Sequence, residues 1–293
     1  MPRNYSNFIF VLGILIIITA CVWRSERSSQ APSPPDKTET AKNSQQVSKA
    51  MPDASASRHT DVGDFIVEHL SVTTPRYVEI DSQVKSEKLL EKAADQLNRA
   101  LILPHDIILR TKDCNDPNAF YDPADRSVTM CYELMERMYG VFKSSGLPAD
   151  RSYARMFEAV RFVFLHEIGH SLIDAFKLPI GGNEEDAADR LSAYVNLTEL
   201  GDEGLRSVYA AADVFSLESK QDAGKNKNLA DEHLLQEQRF YNSLCMIYGS
   251  DIAKHSNIVS DGYLPKERAV RCETEYKKTV ESWANLLQPW RKN

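Results

Sequence analysis

Residues 163–172 read Val-Phe-Leu-His-Glu-Ile-Gly-His-Ser-Leu, which sets His166 and His170 four positions apart with Glu167 between them. Four residues of α-helix span about 400°, so both imidazoles leave one face and can share a metal ion about 2.0–2.1 Å from each nitrogen. Glu167 lies about 100° round from the pair, near enough to take a proton from a water on that ion without binding the ion. Zinc suits this layout, with Glu167 as the general base. The flanks agree: Val163 stands three before the first His, uncharged Ile168 and Gly169 fill the middle, and Ser171-Leu172 follow. An amphipathic helix with surface histidines is the plainer alternative. Against it, residues 162–165 form an apolar run leading into the motif, where a carboxylate without a partner would be costly.

Catalytic zinc takes three protein ligands and leaves a fourth position to water. The next acidic stretch is Gly181-Gly-Asn-Glu-Glu-Asp-Ala-Ala-Asp189, preceded by Pro179. The proline and glycines end one helix and permit a reversal, so a second helix can return past the histidines. In it Glu185 and Asp189 are again four apart. This Glu-x-x-Ala-Asp spacing resembles that of the gluzincin peptidases. The resemblance implies that Glu185 binds zinc and that Asp189 accepts the N–H of a ligand histidine. Glu184 remains an alternative ligand, and three successive acids also suit a helix N-terminus through its dipole.

The elements that must hold these groups are legible in outline. Residues 77–80 and 107–110 have strand character, as do residues 127–131, while 118–125 are rich in turn residues. Helical spacing predicts helices over about 83–101, 133–142, 151–177, 184–200, 204–219, 231–249 and 266–287. A sheet followed by helices is an α+β domain, zincin-like in plan: a small N-terminal sheet with helices, then a helical C-terminal part. Residues 127–130 are the candidate edge for pairing with substrate backbone, with an interior strand the alternative. Gly169 costs about 1 kcal/mol against Ala inside a helix, which points to another element packed closely there.

The 293 residues carry a net charge of −7 without a Lys/Arg cluster, which argues against nucleic acid as a partner. Arg3 precedes an apolar run at 8–20, short for a membrane span and suited to a signal peptide. Ile18-Thr-Ala-Cys21 resembles the bacterial lipobox, which implies cleavage before Cys21 and its acylation. An ordinary cleaved signal or an uncleaved anchor through Trp23 are the alternatives. The expected division is a lipoprotein-type signal peptide at 1–20, a lipid-anchored disordered linker at 21–72 and a metallopeptidase domain at 73–293, exported to the periplasm or cell exterior and held to a membrane. Cys114, Cys131, Cys245 and Cys272 make an even number for an exported protein. Of three connectivities the local pairs, Cys114 with Cys131 and Cys245 with Cys272, are favoured because each clips one compact segment.

The motif helix and the acidic segment are joined by Asp231-Glu-His233, Gln238-Arg-Phe-Tyr-Asn242, Cys245, Leu264-Pro-Lys-Glu-Arg268 and Arg271-Cys272. Together these resemble a bacterial family of exported proteins of unknown function described as putative metallopeptidases. The resemblance implies a zinc metallopeptidase with one ion per chain and names no substrate. Such an enzyme supplies a His, Tyr or Arg to the oxyanion. His233, Arg239 and Tyr241 are candidates, with His233 preferred because adjacent acids can orient its ring; each also fits helix packing or capping. The expected activity is hydrolysis of a peptide or protein by a zinc-activated water, Glu167 passing the proton to the leaving amine. The alternatives are a catalytically inactive envelope scaffold with a zincin fold, or a zinc amidase acting on cell-wall peptides with the same apparatus.

Overall fold

Residues 107–112 place Ile107, Leu109 and Thr111 on one face and Ile108, Arg110 and Lys112 on the other, whereas 149–176 turn apolar residues to every side, and these two patterns become a half-covered strand and a core helix. The computed structural model describes residues 59–224 and 226–292. Its elements in chain order are β1 (Phe65–His69), α1 (Val78–Ser86), α2 (Leu89–Ala100), β2 (Ile107–Lys112), β3 (Ala119–Asp122), β4 (Ser127–Cys131), α3 (Tyr132–Ser144), α4 (Ala149–Phe176), α5 (Glu184–Glu199), α6 (Gly201–Gln221), α7 (Gln236–Ser250), α8 (Asn257–Ser260), α9 (Lys266–Ala269) and α10 (Cys272–Leu287). The fold class is α+β, as expected.

The sheet order is β1-β2-β4-β3, with β1 and β4 parallel to β2 and β3 antiparallel to β4. Strand β2 buries Ile107, Leu109 and Thr111 on one face, while β4 is buried throughout. Helix α4 packs on β3 and β4, and its residues 164–169 are all buried. One apolar core joins the sheet to α1–α5 and to Trp283 and Leu287 of α10. A second, built on Phe162, Val208, Phe215, Leu244 and Ile247, binds α4 to the C-terminal helices. Disulfides Cys114–Cys131 and Cys245–Cys272 form the two local pairs. Among the described residues no helix is long and apolar enough to cross a membrane.

Several expectations are corrected. The linker does not run to residue 72: Phe65–His69 is strand β1, with Phe65 buried and the backbone paired to β2. The signal peptide, Cys21 and the earlier linker lie outside the described residues. Residues 77–80 are not a strand, because Tyr77, Ile80 and Val84 are buried at helical spacing while Val78 faces solvent. The single helix expected over 83–101 is two, broken at Lys88, whose φ of 53° is left-handed. The turn-rich segment contains β3, which makes a hairpin with β4. The helix expected from 231 starts at Gln236, and that expected over 266–287 is α9 followed by α10.

Candidate metal centre

The centre is assembled by α4 and α5, which pack side by side. Helix α4 ends with Lys177 at φ 50°, and Gly182 at φ 124° turns the chain back. Asn183 then caps α5, its Oδ1 accepting from the Asp186 N–H at 2.9 Å. The helices approach closely at Gly169, where a Cβ would stand 3.2 Å from the Ala188 Cα and from the Leu191 side chain. That proximity is what the motif glycine foreshadowed. Glu185 and Asp189 thereby face His166 and His170.

Each imidazole has a carboxylate at Nδ1: Asp189 Oδ1 at 2.9 Å from His166, Glu184 Oε1 at 2.9 Å from His170, and Asp231 Oδ1 at 3.3 Å from His233. An ionised carboxylate only accepts, so the proton of each neutral ring sits on Nδ1 and the lone pair on Nε2. The Nε2 atoms converge. His166 Nε2 is 3.1 Å from His170 Nε2, and Glu185 Oε2 lies 3.0, 3.3 and 2.9 Å from Nε2 of His166, His170 and His233. Glu185 Oε2 is buried and receives no hydrogen bond, as expected when its neighbours present lone pairs. Lone pairs packed at such distances repel unless a cation lies among them. Ligand atoms at tetrahedral corners about 2.0–2.1 Å from zinc are about 3.3–3.4 Å apart, close to the spacing of the His166, His170 and Glu185 atoms. The donor set fits a borderline-soft divalent ion.

Without such an ion, protons take its place. Burial pulls the His166 imidazolium down, but the carboxylates of Asp189 and Glu185 outweigh it and hold its pKa up at about 9. His170 and His233 are also raised, by Glu185 above all among their partners. Burial pushes the Glu185 carboxyl up, yet the three histidines drive it far below the usual carboxylate range.

Glu167 is 6% exposed and lines the cleft beside these atoms. Among the described residues its carboxylate accepts no hydrogen bond, and burial raises its pKa. It has the isolation of a proton acceptor that remains available. Behind His166, Arg239 grips Asp189 through two bonds of 2.8 and 2.7 Å, with its guanidinium 4.2 Å from the Phe215 ring centroid. Arg239 is thus committed to Asp189, and Tyr241 is exposed and does not line the cleft.

The cleft measures about 750 Å³ and is walled on one side by residues 118–121 and Pro123. Its strand is β3, at the end of the sheet; residues 127–130, the expected edge, are interior because β4 pairs on both sides. Tyr121 Oη donates to Asp174 Oδ2 at 2.8 Å across the cleft. Tyr121 was hidden in the turn-rich segment, where only the alternation Ala119, Tyr121 hinted at a strand. The arrangement brings together His166, Glu167, His170, Glu185, Asp189 and His233, while Tyr241 stands apart. Glu184 meets Nδ1 of His170, and Glu185 meets the Nε2 face.

An α+β domain that gathers two imidazoles, a carboxylate and a separate buried glutamate at the floor of an open cleft has the parts of a metal-dependent hydrolase. The chain belongs to the putative metallopeptidase family, which matches it over residues 69–287 and supports, at that coarse level, a metal-dependent peptidase. No curated protein and no solved structure matches the chain.

Proposed function

We propose that this protein is a zinc metallopeptidase of the cell envelope in which His166, His170 and Glu185 hold the ion. When bound, the ion supplies a Lewis acid that makes water acidic enough to attack at neutral pH. Asp189 and Glu184 fix the imidazole rings through their Nδ1 protons, leaving Nε2 free to ligate. Glu167 takes the proton of the attacking water and returns it to the leaving amine, a role for which its burial and lack of partners suit it. In its protonated form His233, oriented by Asp231 at Nδ1, donates from Nε2 to the carbonyl oxygen as charge builds there. An extended peptide lies along β3, whose outer edge has no partner strand among the described residues and borders the cleft.

The single observation that carries this reading is the convergence of three imidazole Nε2 atoms on Glu185 Oε2, at 3.0, 3.3 and 2.9 Å, with a carboxylate behind each Nδ1. Two disulfides support an oxidising compartment, and a lipid on Cys21 would keep the domain at the membrane. A cell-wall amidase would use the same centre; the peptide-shaped edge beside it favours the peptidase. The test is metal analysis and peptide-library digestion of wild type, Glu167→Gln and His166→Ala. One zinc per chain is expected in wild type and Glu167→Gln, with turnover in the latter down about 10²–10⁴-fold, and no zinc in His166→Ala. Full turnover by Glu167→Gln would remove that residue from its role.

A further inference from the structure

Three imidazoles, not two, carry the carboxylate partner that marks a ligating histidine. His166 and His170 come from α4, the first buried and the second half-buried. The third, His233, comes from the non-helical connection at residues 226–235, and its side chain is 48% exposed against 3% and 15% for the others. Its Nε2 nevertheless lies 2.9 Å from Glu185 Oε2, and its ring stacks on that of His166 with centroids 5.9 Å apart. One ligand atom each from His166, Glu185 and His233 falls within 4.8 Å of the others, the compass of a single ion. Asp231 positions the ring twice, accepting from the His233 backbone N–H at 2.9 Å and facing its Nδ1.

We propose that His233 is a displaceable protein ligand, closing the ion's coordination in the resting enzyme and withdrawing when substrate enters. The inference rests on the centre proposed above. A catalytic ion needs an open position, and a shell closed by protein donors is the mark of a structural one. The same side chain therefore decides between rest and work. Its mounting suits that task. Residues 226–235 are tied to α5 by the Asn183 Nδ2 bond to the Glu232 carbonyl, 2.7 Å, and to α7 by Lys227–Glu237, 2.6 Å. Among the described residues, the other bond that holds the segment to the centre is that of His233 to Glu185. Asn183 is also the cap of the helix that bears Glu185, so the latch and the ligand it covers share one anchor. On lifting, the imidazole stays beside the cleft, where a substrate carbonyl would arrive.

The experiment uses the full chain in detergent, loaded with cobalt(II). Proton NMR then counts the hyperfine-shifted, solvent-exchangeable imidazole N–H signals, one for each ligating ring whose Nδ1 holds its proton. Three signals in wild type, two in His233→Ala, and two in wild type saturated with a hydroxamate support the proposal. A second measurement follows zinc release to a chelator, expected to be faster in His233→Ala and in Asn183→Ala by on the order of tenfold, at an unchanged one zinc per chain. Two signals in wild type with the metal still stoichiometric overturn the proposal and leave the His166–His170–Glu185 centre standing. Three signals that persist in His233→Ala or under saturating hydroxamate overturn it as well. Failure of wild type to bind metal, or binding that survives His166→Ala, sinks the underlying centre instead. Should His233→Ala fail to fold, the wild-type count with and without hydroxamate decides alone.

Discussion

Replacing Arg239 with methionine keeps apolar bulk over Phe215 while removing both hydrogen bonds to Asp189. The two side chains are only 12% and 15% exposed, so Asp189 would be left charged and nearly dry, with the His166 Nδ1–H as its remaining donor among the described residues. Removing one partner of a buried pair costs about 3–5 kcal/mol; the surviving His166 bond and partial exposure place this case near 3 kcal/mol. For a domain of this size that lowers Tm by about 6–12 °C. The assay is thermal unfolding of the zinc-free chain at neutral pH, followed by circular dichroism. Burial raises the Asp189 pKa, but Arg239 and His166 outweigh it and hold it well below the carboxylate range. A depressed pKa stabilises the fold above the unfolded value, about 4, and that contribution is lost as pH falls toward the folded value. The gap between wild type and variant should therefore be full at neutral pH and narrow below about pH 4. Adding Asp189→Asn should recover part of the loss, because no charge remains stranded. A loss under about 1 kcal/mol, or a double variant additive within about 0.5 kcal/mol, refutes the reasoning.

Because the His166 pKa stands at about 9 and the other two imidazoles are raised, protons compete with zinc across the neutral range. Zinc affinity should fall steadily as pH is lowered from about 9 to about 6, and calorimetry in buffers of differing ionisation enthalpy should register proton release on binding; a pH-independent affinity would contradict the geometry. Glu184→Ala should weaken zinc binding about 10–100-fold at unchanged stoichiometry, whereas Glu185→Ala should abolish it; equal losses in equilibrium dialysis would erase the distinction between the two glutamates. Replacing Cys245 and Cys272 together with serine removes a link across 27 residues, and the chain-entropy relation puts the loss near 3.5 kcal/mol, to be read as a shift in the denaturant midpoint.

The legible part of the site was the part written in local spacing. His166, Glu167 and His170 declare themselves because one turn of α4 is fixed by backbone geometry; the turn at Pro179 and the glycines brings an acidic helix back, and the choice of Glu185 rests on the resemblance to the gluzincin spacing. Between Glu184 and Glu185 spacing could not choose, since adjacent helical positions differ by about 100° and only the roll of α5 against α4 settles which faces Nε2. The α+β class and both disulfides were legible for similar reasons of locality. Short strands were not. Residues 77–80 alternate like a strand but are only four long, and β1 and β3 owe their state to partners supplied by β2 and β4. The pairing of Arg239 with Asp189 spans fifty residues, and no periodicity encodes it.

The grip on the ion and the groups that temper it are drawn from different stretches of chain. His166, His170, Glu185 and Asp189 all lie on two consecutive helices, so their contacts close a short loop at small entropic expense. Arg239, which offsets Asp189, and His233, whose Nε2 meets Glu185, belong to the region that follows α6. A chain truncated after α6 would keep every proposed donor of the first set and lose both later contributions. The proposed ligands other than His233 and the later groups that back or meet them are thus contributed by separate stretches of chain, and the C-terminal helices that carry the latter also complete the core against which α4 packs.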